Sequence, residues 1–181
     1  MKHEEPKSPV SFAAHVARLP HNGLPVTIEA DAQQRQALAS EHGLLSVEAY
    51  RAELLVTPWK RHGVKVAGTV VADITQACVI SLDPVPAHID EAVEGLFLPD
   101  DSKLGRLGFE GGGEILLDAE GPDGPETFHG ETIDVGALAE QFFGLAIDPY
   151  PHKPGAFLDT GEEGQEESEF QRKLKSLLGK S

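Results

Sequence analysis

Trp59-Lys60-Arg61-His62, with Lys65 just beyond, gathers three fixed positive charges, an imidazole and the chain's single tryptophan within seven residues. That mixture suits single-stranded RNA: cations neutralise phosphates, and an indole face stacks on any base. These five residues are the candidate RNA contacts. The alternative is a solvated turn whose tryptophan folds back onto the sheet. A second segment, Asp148-Pro149-Tyr150-Pro151 with Lys153, carries the chemistry of recognition rather than reaction. Prolines reduce the entropy lost when a peptide docks, and tyrosine is favoured as an interface anchor. These residues are candidates for partner binding. The other reading is a strap across the sheet to which Tyr150 hydrogen-bonds.

Groups that could do covalent or metal chemistry are scattered. Cys78 is the only cysteine, and His62, His88, His129 and His152 form no H-x-x-x-H or C-x-x-C pair. Cys78 is expected to be a small buried apolar residue at a strand end, and no metal site is expected. Gly111-Gly112-Gly113 lacks the Lys-Ser/Thr of a phosphate loop, and Glu110 and Glu114 beside it repel phosphate. No cofactor is expected, and no acid–base pair stands out among the carboxylates, so no catalytic residue is assigned. A hydrolase using an unrecognised carboxylate or histidine site is kept as an alternative; a deep polar pocket holding two or more such groups would favour it.

The elements that must position these groups read as α+β: an antiparallel meander with a few packed helices. Val10-Ser11-Phe12 and Pro25 to Glu29 are expected as short strands around a turn at His21-Asn22-Gly23. Asp31 caps a helix bearing Ala32, Arg35, Leu38 and Ala39 at helical spacing, and Gly43 stops it. Val47, Ala49, Arg51, Glu53 and Leu55 mark one strand, Val64 to Thr75 the next, and Val85 to Leu98 a third. Thr57 to Gly63 is the hairpin tip between the first two, with Gly63 suited to positive φ. Pro99 to Gly130 holds eight glycines and many acids. It is expected to be a long, mobile loop with one short strand at Glu114 to Asp118. Asp134 caps a further helix with a stripe of Leu138, Phe142 and Leu145, and Gly144 begins its exit. Residues 9–158 thus make one domain. Residues 159–181 add an acidic linker and a short basic amphipathic helix with Phe170, Leu174, Leu177 and Leu178 on one side. That helix is a further partner-binding candidate, with docking on its own sheet or fraying as the alternatives.

Composition narrows the classes. A net charge of −15 argues against broad phosphate binding, and no DNA partner is expected. The charge is uneven: residues 1–90 hold 8 Lys and Arg against 10 Asp and Glu, whereas residues 91–150 hold 2 against 14. A local basic patch in the first half is therefore compatible with the total. The first residues, Met1 to Lys7, have no apolar core of a secretory signal, and no apolar run nears the roughly 20 residues of a membrane span. With one cysteine, these features lead us to expect a soluble cytoplasmic protein without a membrane partner.

Two stretches carry a resemblance. Asp134-x-Gly136-x-x-x-Glu140, followed by Leu145-x-x-Asp148-Pro149-Tyr150-Pro151-x-Lys153-Pro154-Gly155-Ala156, resembles the bacterial YceD-like family. Its members are named large ribosomal RNA subunit accumulation proteins. Val70 to Asp73 and Cys78 to Val85 are similar to that family's strand, cysteine and Leu-x-Pro-Val turn. The likeness spans roughly Pro9 to Ala156, with an echo at Phe170 to Leu178. The chain departs from the pattern at His152, where arginine is expected, and in the helix end Phe142-Phe143-Gly144. Many relatives carry additional cysteines that could bind a metal, and this chain does not.

The resemblance implies a non-catalytic ribosome-biogenesis factor that supports accumulation or processing of large-subunit (23S) ribosomal RNA. Its expected partner is a ribosomal precursor particle or ribosomal protein, with ribosomal RNA as a local contact. A second alternative to it, besides the hydrolase, is an acidic protein–protein adaptor that binds a basic ribosomal protein.

Overall fold

The computed structural model describes residues 7–100 and 125–155. Most of the expected loop, including Gly111 to Gly113 and Glu114 to Asp118, lies outside the described residues. So do the acidic linker and the C-terminal segment with Phe170, Leu174 and Leu177.

The chain is α+β, with five strands in one mixed, mostly antiparallel sheet. After a short β1 (Ala13–His15), the sheet opens with β2 (Leu24–Glu29) and continues through β3 (Ser46–Trp59), β4 (Gly63–Ala77) and β5 (Pro84–Pro99) as an antiparallel series. The last strand, β6 (Glu126–Phe128), joins β5 in parallel. β7 (Thr132–Asp134) instead pairs with β1 as a separate antiparallel ribbon. Long β-branched alternating runs favour the central strands. Tyr50, Ala52, Leu54 and Val56 of β3 face inward with Val66, Val70, Ala72 and Ile74 of β4 and Ile89 and Val93 of β5.

Two helices cover that inner face. α1 (Ala32–Glu41) packs on β3, and α2 (Val135–Ala146) on β5 and β4. Asp31 closes a capping box with Gln34, each side chain bonding the other's backbone N–H. Leu38 and Ala39 are buried as expected from their spacing. The opposite face of the sheet leaves Arg51, Glu53, Thr69, Asp73 and Asp90 exposed.

Several local expectations are corrected. Val10 to Phe12 is not a strand, and the first strand, Ala13–His15, pairs with β7 rather than with β2. The reason is Asp134, which captures this segment: its carboxylate accepts from the Ser11 hydroxyl and from Phe12 N at 2.9 Å. A register shift between Val47 and Ala49 turns Val47 inward, onto the face opposite Arg51 and Glu53. Glu126–Phe128 forms a strand inside the span expected to be loop; three residues are too few to show a period. In α2 the buried stripe is Val135, Leu138, Ala139 and Phe143, whereas Leu145 is 76% exposed. Phe143 rather than Phe142 is selected because its ring meets Tyr50 and His42 edge-on, at centroid distances of 5.3 and 5.2 Å. The helix also passes through Gly144 and ends at Ala146.

His42, the C-cap of α1, reaches Glu140 of α2 at 3.0 Å and links the two helices. Nearby, the Tyr50 hydroxyl is the one buried side-chain polar atom without a hydrogen-bond partner among the described residues. Burial, then the charge of Glu140, pushes its pKa up. Tyr50→Phe therefore removes an unsatisfied hydroxyl and keeps the ring. Its melting temperature should equal or exceed that of the parent; a loss of several degrees would reveal a partner for the hydroxyl.

Burial pushes the Asp134 carboxyl upward in pKa, but the Ser11 hydroxyl and the N–H groups of Ala137, Phe12 and Gly136 together hold it below the usual range. Asp134→Ala should cost about 1–2 kcal/mol in urea unfolding, as expected for a lost N-cap. Because folding lowers this pKa, its contribution is complete above about pH 4 and is lost as pH falls through the folded value. The deficit of the variant should therefore shrink in acid; a constant deficit would mean that packing, not the charge, was lost.

Candidate functional site

The candidate groups sit at two ends of β4. The β3–β4 tip lies at one end and the β4–β5 turn at the other, roughly 45 Å of strand away at about 3.3 Å per residue.

At the tip, the β3–β4 register continues to Trp59 opposite Gly63, and Lys60–His62 turns in a single 3-10 step. The positive φ expected at Gly63 falls on His62 (φ 63°), while Gly63 has φ −74°. Glycine is needed at 63 for space: an added Cβ would lie 2.9 Å from both Leu98 Cδ2 and the Phe97 carbonyl oxygen. Lys60 and His62 are exposed and Trp59 is half-buried. Lys65 stands opposite Thr57, two residues along β4 from Gly63. Its ammonium pairs with Glu94 at 2.7 Å across the outer face of the sheet. Arg61 lies in the turn between Lys60 and His62. The tip thus holds Trp59, Lys60 and His62, and Lys65 follows two residues along β4 from Gly63 with its ammonium engaged by Glu94.

Trp59 and His62 also line a cleft of about 780 Å³ that sequence reasoning did not anticipate. Leu19 and Phe128 add apolar wall, and His21, Asp100 and Glu131 add polar groups. Three backbone bonds assemble it. Val16 N donates to the Glu131 carbonyl at 2.8 Å, Asp100 N to Phe128 at 3.1 Å, and Gly23 N to Pro20 at 2.9 Å. Asp100 also pairs with the exposed His129 at 2.8 Å. Residues far apart in sequence meet here only through the ribbon and the parallel β5–β6 pairing. No local pattern announces such a meeting.

At the other end, residues 148–153 strap across the start of the β4–β5 turn. Gln76, almost fully buried on β4, donates to the Asp148 carbonyl at 2.7 Å, and Val79 N donates to the Pro151 carbonyl at 2.9 Å. Lys153 Nζ bonds Asp83 Oδ2 at 2.9 Å. Asp148 Oδ1 accepts from Tyr150 N at 2.9 Å, shaping the Pro149–Tyr150 corner. Pro151 is buried, and the Tyr150 side chain faces outward at 69% exposure beside exposed Pro149. The backbone therefore forms the strap, while the tyrosine is presented to solvent rather than laid on the sheet.

Cys78 lies shallowly under this strap, closed off from solvent by the turn and by Lys153, whose N–H points at its sulfur at 3.4 Å. The Ser81 hydroxyl leads a set of donors, with the N–H groups of Ser81, Lys153 and Ile80. Together they outweigh burial and bring the thiol down to about 6. Lys153 and Ser81 likewise hold the Asp83 carboxyl below its usual range. Among the described residues no group of three His, Cys, Asp or Glu is placed to hold a metal ion. No helix among them is long and apolar enough to cross a membrane. Comparison of the chain with protein-family models, with curated proteins and with solved structures returns no match.

A low thiol pKa and a closed roof act in opposite directions on reactivity. Iodoacetamide at pH 7 should modify Cys78 slowly in the native protein and rapidly in urea. Gln76→Ala, which frees one anchor of the strap, should raise the native rate severalfold. Equal native and unfolded rates would show that the strap does not shield the thiol.

Proposed function

We propose that this chain is a non-catalytic ribosome-biogenesis factor that supports accumulation or processing of large-subunit ribosomal RNA. It acts in the cytoplasm by docking on a precursor particle or a ribosomal protein, with a local RNA contact at the hairpin tip. The resemblance in the 134–156 and 70–85 stretches motivates the reading. The observation that carries it is Tyr150: an exposed aromatic on a backbone pinned by Gln76, Val79 and Asp83. Such a segment loses little backbone freedom on docking, which suits it to carry an interface anchor.

Tyr150→Ala separates docking from folding. Its melting curve should match the parent's, because the ring makes little contact with the domain. Its sedimentation with particles smaller than the mature large subunit, in gradients of cell lysate, should fall about tenfold or more, the size of a hot-spot loss. Undiminished co-sedimentation would remove Tyr150 as the anchor, and a wild-type protein confined to the top of the gradient would remove the ribosome reading.

A hydrolase reading has one observation on its side: His21, His62, Asp100 and Glu131 line a single cleft. In its present geometry the hydrogen-bonded imidazole–carboxylate pair at this end is His129–Asp100, whose histidine is 83% exposed. Among the described residues, His21 and His62 have no carboxylate partner of the kind that orients a general base. Turnover of a phosphodiester or ester substrate that disappears in His62→Gln would bring this reading forward.

A further inference from the structure

We infer that the hairpin-tip cleft is a pocket for one unpaired, amino-bearing nucleobase of single-stranded RNA. The inference deepens the ribosome reading and rests on it for the origin of the RNA.

The cleft's size is the first argument. About 780 Å³ falls within the roughly 300–1,000 Å³ typical of small-ligand pockets. Its walls supply the second. Trp59 lines the cleft half-buried and still offers surface, and Phe128, almost fully buried, lines it too. Aromatic surface of this kind is worth about 1–3 kcal/mol per stacked base.

Charge placement is the third argument, and it separates base from backbone. Asp100 and Glu131 stand in the wall, so the interior repels phosphate. The backbone of a bound strand must then run along the rim, where Lys60 and His62 are exposed. The Asp100 carboxylate is taken by His129, which leaves Glu131, exposed and lining the cleft, as the carboxylate acceptor. The base groups that satisfy it are exocyclic amines, as in the pairing of Asp or Glu with cytosine N4. Uracil has no such amine. The Glu131 backbone is fixed at the wall, its carbonyl accepting from Val16 N at 2.8 Å. The cleft should therefore favour adenine or cytosine over uracil.

The single tryptophan makes the test local, because intrinsic fluorescence at the tryptophan band reports on Trp59 alone. The full chain is titrated at low salt with eight-nucleotide strands of A, C or U. Oligo(A) and oligo(C) should quench Trp59 saturably, with oligo(U) at least about tenfold weaker, the discrimination of one good base contact. Glu131→Ala should narrow that preference without lowering the melting temperature by more than a few degrees. Equal quenching by all three strands would overturn base readout. Binding of labelled strands, seen by anisotropy, without any quenching would place RNA elsewhere on the surface. No binding of any strand would overturn the inference and leave the cleft to a protein side chain. Any of these three failures, with co-sedimentation on precursor particles intact, would strike the pocket alone; loss of co-sedimentation with quenching intact would strike the ribosome reading alone.

Discussion

The carboxylate of Asp134 is the constraint on which the arrangement of both sites depends. It caps α2 through Ala137 N and takes the Ser11 hydroxyl and Phe12 N from the other end of the chain. Val135 N then donates to the Phe12 carbonyl at 3.0 Å, and the ribbon of β1 and β7 follows in register. The approach is so close that a Cβ on Gly136 would lie 1.9 Å from the Val10 carbonyl oxygen. Burying a carboxylate carries a desolvation cost, and several donors to one charge offset it because charge-assisted bonds are the stronger kind. Upstream, the ribbon leads Val16 to His21 against the hairpin tip and forms one wall of the cleft. Downstream, it sets the axis of α2, so that Phe143 enters the core and the chain emerges at the strap.

The charge distribution explains why the two ends would have to work by shape and stacking. Residues 91–150 carry 14 acids against 2 bases, and the fixed cations placed at the sites are few. Lys65 is neutralised by Glu94 and Lys153 by Asp83. Each phosphate contact contributes about 0.9 to the salt slope of duplex binding and about 0.7 for single strands. One or two cations therefore give weak, mildly salt-dependent attraction. On the ribosome reading, aromatic surface and a preorganised peptide would supply the specificity that such a surface does not obtain from charge.

What the sequence disclosed was governed by length and period. β3, β4 and β5 were legible because runs of 14 to 16 residues repeat their alternation many times. The Asp31 and Asp134 caps were legible because capping is a contact between near neighbours. β1, β6 and β7 have three residues each, and their partners lie far along the chain or across a parallel pairing. The face of α2 was misjudged because Leu138 belongs to both candidate stripes, and only the position of Tyr50 and His42 selects Phe143. The positive φ passed from Gly63 to His62 because β5 packs against residue 63, a contact invisible in the hairpin's own sequence. Of the sites, Trp59 and Tyr150 were visible as residue types. The cleft was not, since Leu19, Phe128 and Glu131 have nothing in common until the fold closes.

The separation of the sites bears on the kind of partner. A stretch of strand of roughly 45 Å lies between the Trp59 tip and the Tyr150 strap, and the continuous β4 ladder, paired on both sides, resists bending between them. No small substrate touches both ends, and a single small protein domain would have to be elongated to do so. A large ribonucleoprotein surface can engage them together. The second contact then forms intramolecularly, and its effective concentration multiplies two weak affinities into a useful one. Stiffness also makes the spacing itself a source of specificity: a surface that offers a base and an anchor site at the wrong separation gains only one contact. On the ribosome reading, this ties recognition to the shape of an assembly state, because RNA and protein surfaces shift relative to one another as a subunit matures.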